Sequence, residues 1–295
     1  MIESLWSGDR WQRRLRAAEI HSLVVQHAGR TECAWFRRHG GDDRPVNLHS
    51  VTKSITGSLA GPDRLDLGSS VLSHLPHVTV DDQRKHAITV EHLLAMTSGL
   101  RWPEWEEWGG YARPMTGSSD QLRTILAPPL VAEPGTAMWY SSGSSHLLGA
   151  VLRHAVGHTV AQLAEQCLFK PLRIRQWRFH ADRHGYSHAG YGLSLRPTDL
   201  ARLGSGLLSG DLVPAEWLRQ CWQPRTYTYP HVGAYGWHWW VDTELGMVFA
   251  FGKGGQLLAL FPAQELVIVM TGDAYGDATT PLRLIREAHA ARSTP

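Results

Sequence analysis

The residues best placed to do chemistry lie in one short stretch, His49–Gly57, where Ser50 stands three positions before Lys53. If a helix begins there, positions i and i+3 share a face, so Ser50 and Lys53 stand side by side. They would sit at the N-terminal end, where unpaired N–H groups carry partial positive charge. A lysine held there away from water is pushed towards its neutral form. A neutral amine can take the proton of a serine hydroxyl, which makes serine a nucleophile without histidine. The chain has four lysines, Lys53, Lys85, Lys170 and Lys253, and arginine carries the rest of the positive charge. Only the amine can give up its proton, which singles out each lysine for attention.

A serine–lysine pair alone arises easily by chance, and its companions decide what it means. The first is Trp139-Tyr140-Ser141-Ser142. A phenol near the pair can shuttle a proton to a leaving group, and Ser142 can hydrogen-bond the lysine. The second is Lys253-Gly254-Gly255-Gln256. Two glycines let a substrate approach the backbone closely. The Gln256 N–H can then face an oxyanion while Lys253 adds positive charge. Read alone, the first is a half-buried tyrosine at a helix start and the second a plain hairpin turn.

The elements that must position these residues can be read from the pattern. Trp11–Glu19 reads as an arginine-rich amphipathic helix. Ser22–His27 and Thr31–Phe36 read as a hairpin about Ala28-Gly29-Arg30. A polar loop is expected over Arg37–Asn47, and Gly61-Pro62 stops the Ser50 helix early. Further helices are expected at Thr89–Met96 with Thr89 as cap, Ser144–Val156, Val160–Cys167 and Asp199–Leu208. Gly246–Phe251, Gln256–Phe261 and Leu266–Thr271 read as strands joined by tight turns, and Asp277–Arg292 as a closing helix. The expected class is α+β: one antiparallel sheet from both termini, flanked by helices, with a mainly helical region inserted. The expected division is a sheet subdomain from residues 1–48 and 200–295, a helical subdomain from 49–199, and the active site between them.

Taken together, Ser50-Val51-Thr52-Lys53, Tyr140-Ser141-Ser142 and Lys253-Gly254-Gly255 resemble the three motifs of the penicillin-recognising serine hydrolases. The likeness is to the class C β-lactamase-like branch, with its esterases and D-amino-acid amidases and peptidases. His92–Leu100, Leu147-Leu148-Gly149, Pro171-Leu172 and Tyr235-Gly236-Trp237 are similar as well, so the resemblance spans nearly the whole chain. It implies the β-lactamase/penicillin-binding-protein fold and an acyl-enzyme on Ser50. It also implies Lys53 as base, Tyr140 as acid/base partner, Lys253 as the third-motif residue and the N–H groups of Ser50 and Gln256 as the oxyanion hole. Whether Lys53 or Tyr140 is the acylation base stays open. Three departures bear on substrate. Ser142 stands where the lactamases carry asparagine, Lys253-Gly254-Gly255 lacks the middle hydroxyl, and the Ser50 helix is short.

The function expected is therefore a serine hydrolase of an ester or amide small molecule rather than a β-lactamase. The alternative is a transacylase with an amine or alcohol acceptor, and a third reading is a non-catalytic binding protein that keeps the fold. Trp102, Trp105 and Trp237 are candidate walls of a substrate pocket, with packing in the core as the competing role. Glu104, Glu106 and Glu107 read as a solvated acidic loop, with attraction of a cationic substrate as the competing role.

Composition excludes several classes. The chain has 295 residues, a net charge of +2 and no basic block, which argues against a nucleic-acid partner. No stretch is long and apolar enough for a membrane span, and the first ten residues lack a signal-peptide pattern, so the expected location is cytoplasmic. Cys33, Cys167 and Cys221 fit neither a disulfide framework nor a metal knuckle. His180, His184 and His188 recur every four residues, but Gly185 argues against a zinc helix, and no cofactor or metal is expected. His49 beside Ser50 points away from it, and there is no G-x-S-x-G elbow. The pattern is silent on oligomeric state.

Overall fold

The computed structural model describes residues 8–38, 43–229 and 232–293. The first seven residues, and 39–42 of the expected polar loop, lie outside this range.

In chain order the strands are β1 (Ile20–His27), β2 (Arg30–Phe36), β3 (Val46–Asn47), β4 (Trp177–Phe179), β5 (Leu193–Leu195), β6 (Thr226–Tyr229), β7 (Gly233–Tyr235), β8 (Trp240–Asp242), β9 (Met247–Gly252), β10 (Gln256–Phe261) and β11 (Leu266–Gly272). Eight of them form an antiparallel sheet in the order β2-β1-β11-β10-β9-β8-β7-β6, and a small sheet runs β3-β5-β4. Both ends of the chain thus feed one sheet. β1 pairs with β11 with Val24 opposite Val269, and β10 with β9 with Gln256 opposite Gly252.

The helices are α1 (Asp9–Ala17), α2 (Val51–Leu59), α3 (Val90–Leu94), α4 (Gln121–Leu126), α5 (Ser142–Val156), α6 (Val160–Ala164), α7 (Pro197–Ser209), α8 (Ala215–Cys221) and α9 (Thr280–Ser293). They cover both faces of the sheet, which is why β9–β11 read as unbroken apolar runs rather than alternating ones. Leu257, Ala259, Ile268 and Met270 face Leu15 of α1 and Leu282 and Ile285 of α9. Leu258, Leu260, Val267 and Val269 face the other way, into the core that holds Leu200 and Leu203 of α7 and Ile55 and Leu59 of α2. Each such side chain contributes roughly 1.5–3 kcal/mol on burial, so α2 is fixed against the sheet by apolar packing before any polar contact is made.

Several boundaries differ from the sequence reading by a few residues, and two of the differences change how a helix is built. Helix α5 starts at Ser142 rather than Ser144, because Ser141 caps it with its Oγ on the Ser144 N–H at 2.9 Å. The helix expected over Val160–Cys167 is regular only to Ala164 and continues as a π-type turn over Glu165–Phe169. The Thr89 cap is present, as a reciprocal box with His92. No helix among the described residues is long and apolar enough to cross a membrane.

Candidate active site

Ser50 is the N-cap of α2 and half-buried, and its backbone is already helical at φ −67°, ψ −9°. All nine residues of α2 are buried. Polar side chains tie the helix to its surroundings on several sides. Thr52 Oγ1 accepts from the Leu193 N–H of β5 at 3.2 Å, Thr56 Oγ1 donates to the Ala189 carbonyl at 2.9 Å, and Ser54 Oγ donates to the His238 carbonyl. The end of β9 closes against Ser50. A Cβ at Gly252 would meet the Leu48 carbonyl at 2.3 Å and the Ser50 nitrogen at 3.0 Å, so only glycine permits this approach. His49, just before Ser50, has φ 47°, a strained conformation for a side chain with a Cβ.

Lys53 is 1% exposed. Its Nζ lies 3.0 Å from Ser50 Oγ, 2.8 Å from Ser142 Oγ and 3.0 Å from the Gly190 carbonyl. Burial lowers its pKa to about 8, against the opposing pull of Glu104. A neutral amine has two N–H bonds and one lone pair. The Gly190 carbonyl can only accept, so it takes one N–H. With the second N–H on Ser142 Oγ, the lone pair faces Ser50.

Glu104 corrects the expectation of a solvated acidic loop. Glu106 and Glu107 are exposed, but Glu104 is 2% exposed and forms part of the site. Its carboxylate accepts from the Ser142 N–H at 2.7 Å, Ser142 Oγ at 2.8 Å and Trp102 Nε1 at 2.8 Å. Lys53 Nζ lies 4.0 Å away. The carboxylate therefore sits on the first N–H of α5, where the helix dipole favours an anion. Sequence reasoning missed this residue because three glutamates share the segment and nothing in their order sets one apart. The Trp102-x-Glu104 spacing was the only available sign. The Gly190 carbonyl, a backbone group, left none.

Tyr140 is 3% exposed, and its ring faces Lys53 Nζ at 4.8 Å. Trp240, Tyr235 and Trp105 pack around it with ring centroids 5.8, 6.0 and 6.2 Å away. The structure thus brings Ser50, Lys53, Ser142 and Tyr140 together. Lys253 reaches the rim, where its Nζ donates to the Gly109 carbonyl at 2.6 Å and stands 3.3 Å from the centre of the Tyr111 ring. Gly254 and Gly255 have φ +81° and +80°, a turn that residues with a Cβ rarely adopt. Gln256 turns its side chain back into the sheet end, donating to the Gly272 carbonyl at 2.8 Å.

A cavity of about 180 Å³ opens beside Ser50, with Ser142, Glu104, Tyr111, Tyr191 and Lys253 among its walls. The three tryptophans are not among the walls of this cavity. Trp102 is fully buried in the core, Trp105 packs on Tyr140, and Trp237 stacks on Trp217 under the Arg225 guanidinium. His49 lines the cavity, and burial with Lys253 and Lys53 nearby holds its pKa down at about 4. Among the described residues no group of three or more His, Cys, Asp or Glu is placed to hold a metal ion. His184 sits on an exposed turn and His188 packs against His146, so the histidine repeat forms no helix face.

Comparison with known proteins fits this geometry. The beta-lactamase family pattern matches residues 16–290. The chain is 30% identical over 199 residues to the esterase EstB of Burkholderia gladioli, covering 58% of this chain and 49% of that one. It is 31% identical over 159 residues to the acyltransferase mokF of Monascus pilosus, covering 46% and 38%. The matched stretch thus spans about half or less of the length of these two relatives. The solved structure of EstCE1, described as a hydrolase with promiscuous acyltransferase activity, superposes with a TM-score of 0.75 at 20% identity, over 97% of this chain and 99% of that one. At that identity the likeness is one of fold.

Proposed function

The chain belongs to the beta-lactamase family, and we propose that it is a serine hydrolase of an ester or amide, working through an acyl-enzyme on Ser50. One observation carries the reading: a buried lysine whose other two partners leave its lone pair facing Ser50 Oγ at 3.0 Å. In acylation Lys53 takes the Ser50 proton as Oγ bonds to the substrate carbonyl carbon. The N–H groups of Ser50 and Gln256 receive the oxyanion. Gln256 stands opposite Gly252 in the sheet, and Gly252 abuts Ser50, which supports that pairing. When the carbon–oxygen or carbon–nitrogen bond breaks, the proton on Lys53 passes to the leaving group, with Tyr140 as the acid at hand. Water then attacks the ester on Ser50, the proton returns through Lys53, and the acid leaves.

A β-lactam is a poor fit for this site. Ser142 spends its hydroxyl proton on Glu104, and the Lys253 ammonium is engaged by Gly109 and Tyr111 rather than free for a substrate carboxylate. A second reading, transfer of the acyl group to an amine or alcohol, draws on the acyltransferase relative. The test is a panel of activated esters and amides with and without added amine. Release of free acid supports hydrolysis, and an amide product supports transfer. Turnover undiminished in Ser50→Ala would defeat both.

A further inference from the structure

We propose that Glu104 is a positioning residue: acting through Ser142, it sets the direction in which protons run along Glu104–Ser142–Lys53–Ser50 and so keeps the lysine lone pair on the nucleophile. This rests on the reading of Ser50 and Lys53 as the acylation pair, but it makes a separate claim.

The argument begins at the far end of the chain of contacts. Glu104 Oε2 meets two groups that can only donate, the Ser142 backbone N–H at 2.7 Å and Trp102 Nε1 at 2.8 Å. Oε2 is therefore fixed as an acceptor. Oε1 receives Ser142 Oγ at 2.8 Å, so the single hydroxyl hydrogen of Ser142 is spent there. Towards Lys53, 2.8 Å away, Ser142 Oγ can then only accept, and Lys53 must supply an N–H. The Gly190 carbonyl demands the second. The position left over faces Ser50.

A neutral amide in place of the carboxylate reverses this chain. In Glu104→Gln the two fixed donors hold the amide oxygen at the Oε2 position, which places the NH₂ against Ser142 Oγ. Ser142 then accepts from the amide and turns its hydrogen to the Lys53 lone pair. Lys53 is left presenting an N–H to Ser50, and the base is lost. The carboxylate also lies 4.0 Å from Nζ, where it favours the ammonium that forms during acylation. Ser142 is thus a relay, and serine serves here because its hydroxyl accepts from one side and donates to the other.

The histidines facing Lys53 do not obscure the test. His49 and His238 are held down at about 4 and about 3 by burial, so both stay neutral above pH 6. Tyr140 presents its ring face to Nζ, and the Lys253 ammonium is turned to Gly109 and Tyr111.

The experiment is the p-nitrophenol burst from p-nitrophenyl acetate, followed from pH 6 to 10 in the wild type, Glu104→Gln, Ser142→Ala and Ser142→Thr, each checked by thermal melting. The wild-type rate should rise to a plateau with a midpoint near pH 8. Glu104→Gln should lower the plateau by roughly 10²–10³-fold and move the midpoint down by about one pH unit, since a charge favouring the ammonium is gone. Ser142→Ala should lower the plateau with a smaller shift, and Ser142→Thr should restore it. A folded Glu104→Gln variant whose plateau stays within a factor of a few of wild type overturns the proposal, because its base is still in place; an unmoved midpoint overturns it too, because the carboxylate then does not act on Lys53. If Glu104→Gln does not fold, an unchanged burst in Ser142→Ala overturns it instead. No burst in the wild type, or a full burst in Ser50→Ala, defeats the acylation reading itself.

Discussion

Two of the four lysines are almost fully buried, in different parts of the molecule, and they show what burial does and does not achieve. Lys53 is 1% exposed and Lys85 is 3% exposed. Burial lowers the pKa of both. Lys85 lies on the short turn Gln83–Ala87 and donates to the Leu126 carbonyl at 2.6 Å, at the C-terminal end of α4. A carbonyl only accepts, and a helix C-terminus favours a cation, so nothing beside this lysine calls on a lone pair and its contact closes a helix. Lys53 sits among two hydroxyls and one carbonyl. Burial makes its neutral form accessible, and the hydroxyls give that form something to do. The difference lies in the partners.

The contrast can be broken most severely at Lys53. Lys53→Arg keeps the charge but removes the base, because a guanidinium does not deprotonate. Acylation should fall by at least the roughly 10²–10⁴-fold of a lost general base and should lose its rise through pH 8. A variant rate within a factor of a few of wild type would place the base elsewhere.

Tyr140→Phe comes next. It keeps the ring under the Lys53 ammonium and the stack with Trp240, and removes only the hydroxyl. Turnover of esters should drop by about 10²-fold, the lower end for an acid/base group, and less for substrates with good leaving groups that need no proton. Equal losses for good and poor leaving groups would return Tyr140 to a packing role.

Lys85→Met should be the mildest for chemistry. The acetyl burst per folded molecule should equal that of wild type, while the melting temperature falls, since the Leu126 carbonyl loses its partner at a cost of about 1–3 kcal/mol. A changed midpoint of the pH–rate profile in this variant would mean that the two lysines are not independent.

The site was legible in the sequence where its parts are local. Ser50 and Lys53 are one helical turn apart, and Tyr140 and Ser142 flank a helix start, so local spacing marked them as candidates and the family resemblance singled them out. The central strands were legible because β9–β11 are covered on both faces and separated by short turns, Lys253-Gly254-Gly255 before β10 and residues 262–265 before β11. β6, β7 and β8 were not, being short and interrupted by Gly236, Trp237 and His238. The start of α5 was placed two residues late, which hid that Ser142 offers both its N–H and its hydroxyl to one carboxylate. Glu104 itself was invisible because its role comes from the folding back of residues 102–110 onto α5. That approach is fixed by long-range packing of Trp102 against α5, and the Trp102-x-Glu104 spacing gave only a faint local sign of it.

The central claim is that Ser50 becomes a nucleophile because a buried, neutral Lys53 faces it. The most direct test is the rate at which an acyl group appears on the protein, read by intact mass and located by peptide mapping across pH 6–10. The account predicts one acyl group on Ser50, forming faster as pH rises through about 8, and none in Ser50→Ala. An adduct on another residue, or one that forms on Ser50 at the same rate at pH 6 and pH 10, would contradict it.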